Sequence, residues 1–178
     1  MNQCFIGLQE GVGGNSPVNR SRFANTAFDR LRILERYRRI AMVGLSSNPF
    51  RPSHFAAIYL LSEGYDVVPV NPREKEVLGL QSYASLSAIP GGVEVVDIFR
   101  EPAAVPAIVD EAIAIGAKVV WMQLGVIHEE AAERARLAGL EVVMDRCMKI
   151  EHARFFGGLN TIGMNTAVIT SRRKGRRV

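Results

Sequence analysis

The stretch Ile40-Ala41-Met42-Val43-Gly44-Leu45-Ser46-Ser47-Asn48-Pro49-Phe50-Arg51-Pro52-Ser53 decides how this chain is read. An apolar run of strand length ends at a glycine, and a serine-rich turn then leads into an apolar helical segment that reaches Leu61 and stops at Gly64. Gly44 permits a tight exit from the strand, and Ser53 is expected to cap the helix. The unpaired N–H groups at the start of such a helix favour an anion. Ser46, Ser47 and Ser53 add hydroxyls, and Arg51 brings a permanent charge whose fork of donors matches phosphate oxygens. A phosphate-bearing ligand is the expectation.

Working outward, the same alternation of strand and helix recurs. Upstream, Thr26 and Asp29 form a T-x-x-D capping signature, and Phe28, Leu31, Leu34 and Tyr37 share one helical face. Downstream, Val67 to Val70 reads as a second strand, with Pro69 confined to a strand end or an unpaired side. Val77 to Tyr83 reads as a short edge strand, and Val93 to Phe99 as a further strand. Pro102 suits a first helical turn, and Val105, Ile108, Val109, Ala112 and Ile113 form a stripe that stops at Gly116. Val119 to Met122 is fully apolar; Ala131, Ala135 and Ala138 give a small-residue helix face closed by Gly139, and Leu140 to Met144 is the last strand.

Short β-branched runs separated by helical patterns are the mark of right-handed βαβ units, which build a parallel sheet covered on both faces. The expected fold is α/β: a doubly wound parallel sheet of about five strands with helices on both faces. Ligands of such sheets lie beyond the carboxyl ends of the strands, where the winding reverses. The turns after Gly44, Val70, Phe99 and Met122 are therefore the expected site. Four segments follow: a loosely ordered leader over 1–24, an amphipathic helix over 25–37, the binding domain over 38–151, and an extension with a basic tail over 152–178.

Composition removes several classes. At 178 residues and 48% hydrophobic the chain suits one domain with a buried core. The net charge of +4 is owed to Arg172, Arg173, Lys174, Arg176 and Arg177, so the rest of the chain is close to neutral and a nucleic-acid role would rest on the tail alone. Cys4 and Cys147 are too few for a disulfide framework and match no zinc spacing with His54, His128 or His152. No segment approaches a membrane span, and a reducing cytoplasm is the expected compartment.

The first turn lacks G-x-G-x-x-G, and the second strand ends Val70-Asn71-Pro72, with Arg73 and Lys75 following, where a dinucleotide site would place an acid for the ribose. No P-loop occurs. These absences count against an NAD(P)-dependent oxidoreductase or redox sensor, the alternative on this fold, and favour a ligand with more phosphate.

In order and spacing, several stretches resemble the coenzyme A-binding domain family. They are Val43-Gly44-Leu45-Ser46 with Pro49, Arg51 and Ser53; Gly64-Tyr65 with Val70-Asn71-Pro72; Gly79 with Tyr83; Phe99-Arg100 with Pro102; and Trp121 to Gly125. This is the Rossmann-like module that also forms the N-terminal part of the succinyl-CoA synthetase alpha subunit, and the short stand-alone members resemble this chain best. The resemblance implies coenzyme A (CoA) or an acyl-CoA as ligand. It sets Gly44, Ser46, Ser47, Arg51 and Ser53 against the phosphates, and Val70, Asn71, Pro72 and Lys75 beside the adenosine or its 3′-phosphate. It makes Phe99, Arg100 and Pro102 the next wall, and Gln123, Leu124 and Gly125 the border of the pantetheine path. The synthetase carries its phosphorylated histidine on a further domain that has no counterpart here. The resemblance therefore implies a binding module with no catalytic residue, working alone, as a homo-oligomer or as a partner subunit.

Outside that set, Cys147 reads as a buried structural cysteine or a partner for thiol exchange. Asp97, inside an apolar strand, calls for an internal hydrogen bond. His54 reads as a helix-start residue or phosphate neighbour, Trp121 and Tyr83 as packing residues, and Glu129 and Glu130 as favouring the fourth helix through its dipole.

Overall fold

A computed structural model describes residues 26–156. The leader, the segment 160–167 and the basic tail lie outside them. Helix α1 (Ala27–Arg36) starts at the expected capping box: Thr26 Oγ accepts from Asp29 N, and the Asp29 carboxylate accepts from Thr26 N. Strand β1 (Arg39–Val43) follows, then α2 (Pro52–Ser62) and β2 (Asp66–Val70). After a small hairpin, β3 (Glu76–Val77) with β4 (Leu80–Gln81), come β5 (Val95–Ile98) and a 3-10 turn at Pro102–Ala104. The chain continues through α3 (Val105–Ala114), β6 (Val119–Met122), α4 (Glu129–Leu137), β7 (Glu141–Val143) and α5 (Met148–Phe156).

The main sheet has five parallel strands in the order β2-β1-β5-β6-β7, the doubly wound Rossmann-like arrangement. Period-two alternation divides the core. Ala41, Val96, Ile98, Val120 and Met122 face α3 and α4, where Val105, Val109, Ala112, Ala131, Ala132 and Ala135 complete one apolar layer. Ile40, Met42, Val95, Val119 and Trp121 face the other way, against Ile33 and Leu34 of α1, Ala56, Ala57 and Leu60 of α2, and Met148 at the start of α5. The alanine face lets α4 lie close on the sheet. Trp121 is fully buried, and its Nε1–H donates to the Arg146 carbonyl at 2.8 Å.

Pro69 lies inside an edge strand. Asp66 N donates to Arg38 O and Val70 O accepts from Gly44 N, so these residues face β1 and the missing proline N–H falls on the outer side. Two expectations are corrected. Val77 to Tyr83 is no continuous strand, because Leu78 and Gly79 both have positive φ and turn the chain into the β3–β4 hairpin. Tyr83 alone pairs with Val70, as an isolated parallel bridge. Ser53 does not cap α2: Arg51 holds that position with no side-chain cap bond and Pro52 opens the helix. The buried Ser53 Oγ accepts from Ser46 N instead, at 3.3 Å.

Helix α1 is fastened to α5. Arg30 Nε meets Glu151 Oε2 of α5 at 2.8 Å in a buried pair, and the Tyr65 hydroxyl, which burial pushes up to a pKa of about 12, donates to Leu34 O at 2.7 Å. His152 of α5, buried beneath Tyr59, Tyr65 and Phe156, shares a 3.0 Å hydrogen bond with the Tyr59 hydroxyl. These contacts fix the direction in which α5 leaves the strand ends.

Candidate functional site

The winding reverses between β1 and β5. There the turn at Gly44 meets the segment Phe99–Arg100 so closely that a Cβ on Gly44 would lie 2.8 Å from both Phe99 O and Arg100 Cδ. Gly44 also has φ +88°, so glycine is required on two counts. From this point a cleft of 840 Å³ opens over the carboxyl ends of the strands.

Its walls are chemically divided. Among the described residues, Arg51, Arg73, Arg100 and Lys149 line it and no acidic residue does, while Phe50, Phe55, Phe99, Leu124, Val126 and Ile150 supply apolar surface. Phe50 is 88% exposed and Phe55 55%, so these rings are open to a ligand. Bracing bonds shape the first turn. Asn71 Nδ2 donates to Leu45 O at 2.9 Å, tying the end of β2 to the end of β1, and His54 Nδ1 lies 2.9 Å from Ser46 O. His54 thus supports the turn.

Nine of the expected site residues line the cleft: Gly44, Ser46, Arg51, Ser53, Asn71, Phe99, Arg100, Gln123 and Leu124. Six do not. Val70 turns into the core, Ser47, Pro72 and Lys75 are exposed outside the cleft, and Pro102 stands exposed at the head of its 3-10 turn. Gly125 donates its N–H to Asp145 Oδ1 at 2.8 Å in the turn beyond. Arg73, two residues before Lys75, lines the wall in its place. Sequence reasoning missed Phe50, Phe55, Val126, Lys149 and Ile150. The apolar character of the α2 start carried a signal for Phe50 and Phe55; Lys149 and Ile150 reach the cleft only because α5 folds back over the sheet.

Two acids modulate the basic turn without lining the cleft. Glu74 Oε1 accepts from Ser47 N at 2.9 Å and from Ser46 Oγ at 3.5 Å, and the Ser47 backbone N–H, followed by the Ser47 side chain, holds the Glu74 carboxyl below its usual range. A carboxylate therefore rests on donors suited to an anion. Glu101 pairs with Arg100 through two bonds of 3.1 and 2.9 Å, and the Arg100 guanidinium pulls its carboxyl down to about 2.

Beneath the cleft floor lies Asp97, fully buried, with Oδ1 accepting from Gln123 Nε2 at 2.7 Å and Oδ2 without a partner. Burial pushes its carboxyl from the ordinary 3.8 to about 7, and the Gln123 bond only partly opposes this. The internal hydrogen bond that the sequence calls for is thus present, on one oxygen. Cys147, half-buried and lining the cleft, stands just before α5, whose first intrahelical bond runs from Glu151 N to Cys147 O. Burial raises its thiol pKa and the Asp97 charge adds to this, while the backbone N–H groups of Ile150 and Lys149 pull the other way. His128 caps α4 through Nδ1, which accepts from Ala131 N, with Glu129 and Glu130 in that helix's first turn. No helix among the described residues is long and apolar enough to cross a membrane.

A parallel doubly wound sheet whose strand ends open on a basic, partly apolar cleft is the architecture of a Rossmann-like domain. The model of the CoA-binding domain family matches residues 38–153, and the chain belongs to that family. Among its relatives, the uncharacterized protein YneT of Bacillus subtilis is 40% identical over 121 residues, covering 68% of this chain and 90% of that protein. A solved structure of a hypothetical protein from Pyrococcus horikoshii OT3 is 47% identical with a TM-score of 0.71, covering 72% of this chain and 91% of that one. The dinucleotide-forming acetyl-coenzyme A synthetase 1 of Ca. Korarchaeum cryptofilum is 28% identical with a TM-score of 0.54. That likeness covers 60% of this chain and 26% of the synthetase.

Proposed function

We propose that this protein binds coenzyme A or an acyl-CoA in the cleft at the strand ends, as a binding protein or subunit without catalysis of its own. The observation that carries the reading is the lining among the described residues: four basic side chains, no acid, and an apolar wall beside them. A ligand with three phosphates and a long, weakly polar pantetheine arm needs that division. On this reading Gly44, Ser46, Ser47, Arg51 and Ser53 cradle the diphosphate. Asn71 borders the adenosine, with Arg73 as the 3′-phosphate partner. Phe99 and Arg100 form the next wall, and Gln123 and Leu124 flank the pantetheine. NAD, with a diphosphate alone, would leave part of this positive charge unmatched.

The test is thermal shift with CoA, acetyl-CoA, dephospho-CoA, NAD and NADP side by side. A ligand at a hundredfold over its Kd adds about 2.7 kcal/mol of stability. Stabilisation by NAD with none by CoA refutes the reading. Arg51→Ala removes a charge-assisted contact worth about 1.5–3 kcal/mol, so CoA should bind at least about tenfold more weakly by calorimetry. An unchanged Kd would withdraw Arg51.

Glu74 gives a prediction of opposite sign. Its carboxylate sits on the Ser47 N–H and the Ser46 hydroxyl, which the ligand's phosphate must take over. In Glu74→Gln the competing charge is gone, and CoA should bind several-fold more tightly, up to about tenfold, the equivalent of about 1.4 kcal/mol. Weaker binding in that variant would show that Glu74 supports the ligand.

A further inference from the structure

We propose that Cys147 is a covalent capture site: it exchanges with the disulfide of an oxidised CoA seated in the cleft and leaves CoA attached to the protein. The inference rests on the CoA reading of the cleft and adds a chemical step to it.

Three observations place that step. Cys147 lies with Gln123, Leu124 and Val126 at one end of the cleft, whereas Asn71 and Arg73 lie toward the β2 end. A CoA whose adenosine occupies the β2 end therefore carries its sulfur toward Cys147. Lys149 and Ile150 line the same end and their backbone N–H groups are directed at the thiol, where they stabilise a developing thiolate. Asp97 carries a fully buried carboxylate oxygen with no partner, anchored through Gln123, a cleft residue, and near enough for its charge to act on the Cys147 thiol. A buried carboxylate with one oxygen unsatisfied is costly to keep for structure alone.

The exchange balances without a further reagent. The Cys147 thiol, half-buried on the open cleft, loses its proton to solvent, and Sγ attacks the sulfur of the seated CoA. An Sγ–S bond forms as the ligand's S–S bond breaks, and the departing thiolate takes up the proton. Cys147 is oxidised, the departing thiol is reduced, and the oxidant is the disulfide itself. Burial keeps the resting thiol protonated, so the reaction waits for a bound disulfide beside it.

The test incubates the full chain with CoA disulfide or glutathione disulfide and follows intact mass. A single added CoA is expected on the wild type and on Cys4→Ser, and none on Cys147→Ser; glutathione disulfide should react at least about tenfold more slowly. An adduct on Cys147→Ser, or equal rates with both disulfides, overturns the proposal. Calorimetry with reduced CoA on the wild type separates the two levels: binding without an adduct overturns the capture step alone, and no binding overturns the CoA reading with it.

Discussion

Asp97→Asn should make the protein more stable at pH 8 and remove a pH dependence that the wild type carries. The folded carboxyl titrates near 7 and the unfolded one near 3.8, so between those values the folded state holds more protons. Stability then falls as pH rises from about 4 to about 7, and the contribution of the protonated form is gone above that range. Ionising a group with no partner on one oxygen costs about 1.4 kcal/mol per unit of pKa difference. The asparagine keeps an oxygen for Gln123 but buries an unpartnered amide, a cost of about 1–3 kcal/mol. The net gain at pH 8 is therefore about 1–3 kcal/mol, or roughly 2–4 °C in Tm per kcal/mol for a chain of this size. Denaturant unfolding of both proteins at pH 5 and pH 8 checks the sign, because other titrations cancel in the difference. A wild type with equal or greater stability than the variant at pH 8 would mean that Asp97 is satisfied.

Gly44→Ala should be the most damaging single substitution in the cleft. The left-handed backbone at φ +88° costs an alanine about 1–2 kcal/mol. Its Cβ would also press at 2.8 Å on Phe99 O, a backbone atom in a segment whose N–H is bonded to Val43 O. Relieving that overlap means separating β1 from β5, at about 1–3 kcal/mol more. A total loss of about 2–5 kcal/mol is expected, together with loss of CoA binding, since the displaced turn carries Ser46 and Arg51. Gly64→Ala is the control: φ is +80° with nothing within 4 Å, so only the backbone cost applies. Equal unfolding midpoints for the two variants would show that the close approach carries no energetic weight.

Much of this is legible in the chain because the signals are local. Gly44, Gly64, Gly116 and Gly139 end elements where a positive φ is needed, and the apolar runs become strands with their alternate residues on opposite layers. The stop of the second strand at Asn71 is legible for the same reason. What escapes local pattern is settled by distant contacts. Leu78 shows no sign that it will take a positive φ, so an apparent single strand becomes a hairpin. Ser53 has the composition of a cap but lies one residue inside a helix that Pro52 has already opened, where it serves Ser46 instead. The resemblance marks which turns form the rim, yet not which way each side chain points, and so Val70 turns into the core while Lys149 faces the cleft. The place of Lys149 depends on the Arg30–Glu151 pair, two residues 121 positions apart. No periodicity encodes such a separation.

The outer rim of β2 has a consequence for assembly. At Pro69 there is no N–H to offer, its carbonyl is taken by Tyr83 N at 3.0 Å, and Asn71 N is taken by Tyr83 O at 2.9 Å. From Pro69 to Asn71 a foreign strand finds no ladder to extend, which blunts this stretch of the sheet's edge. The sheet's other edge strand, β7, lies at the opposite side and is untouched by this block.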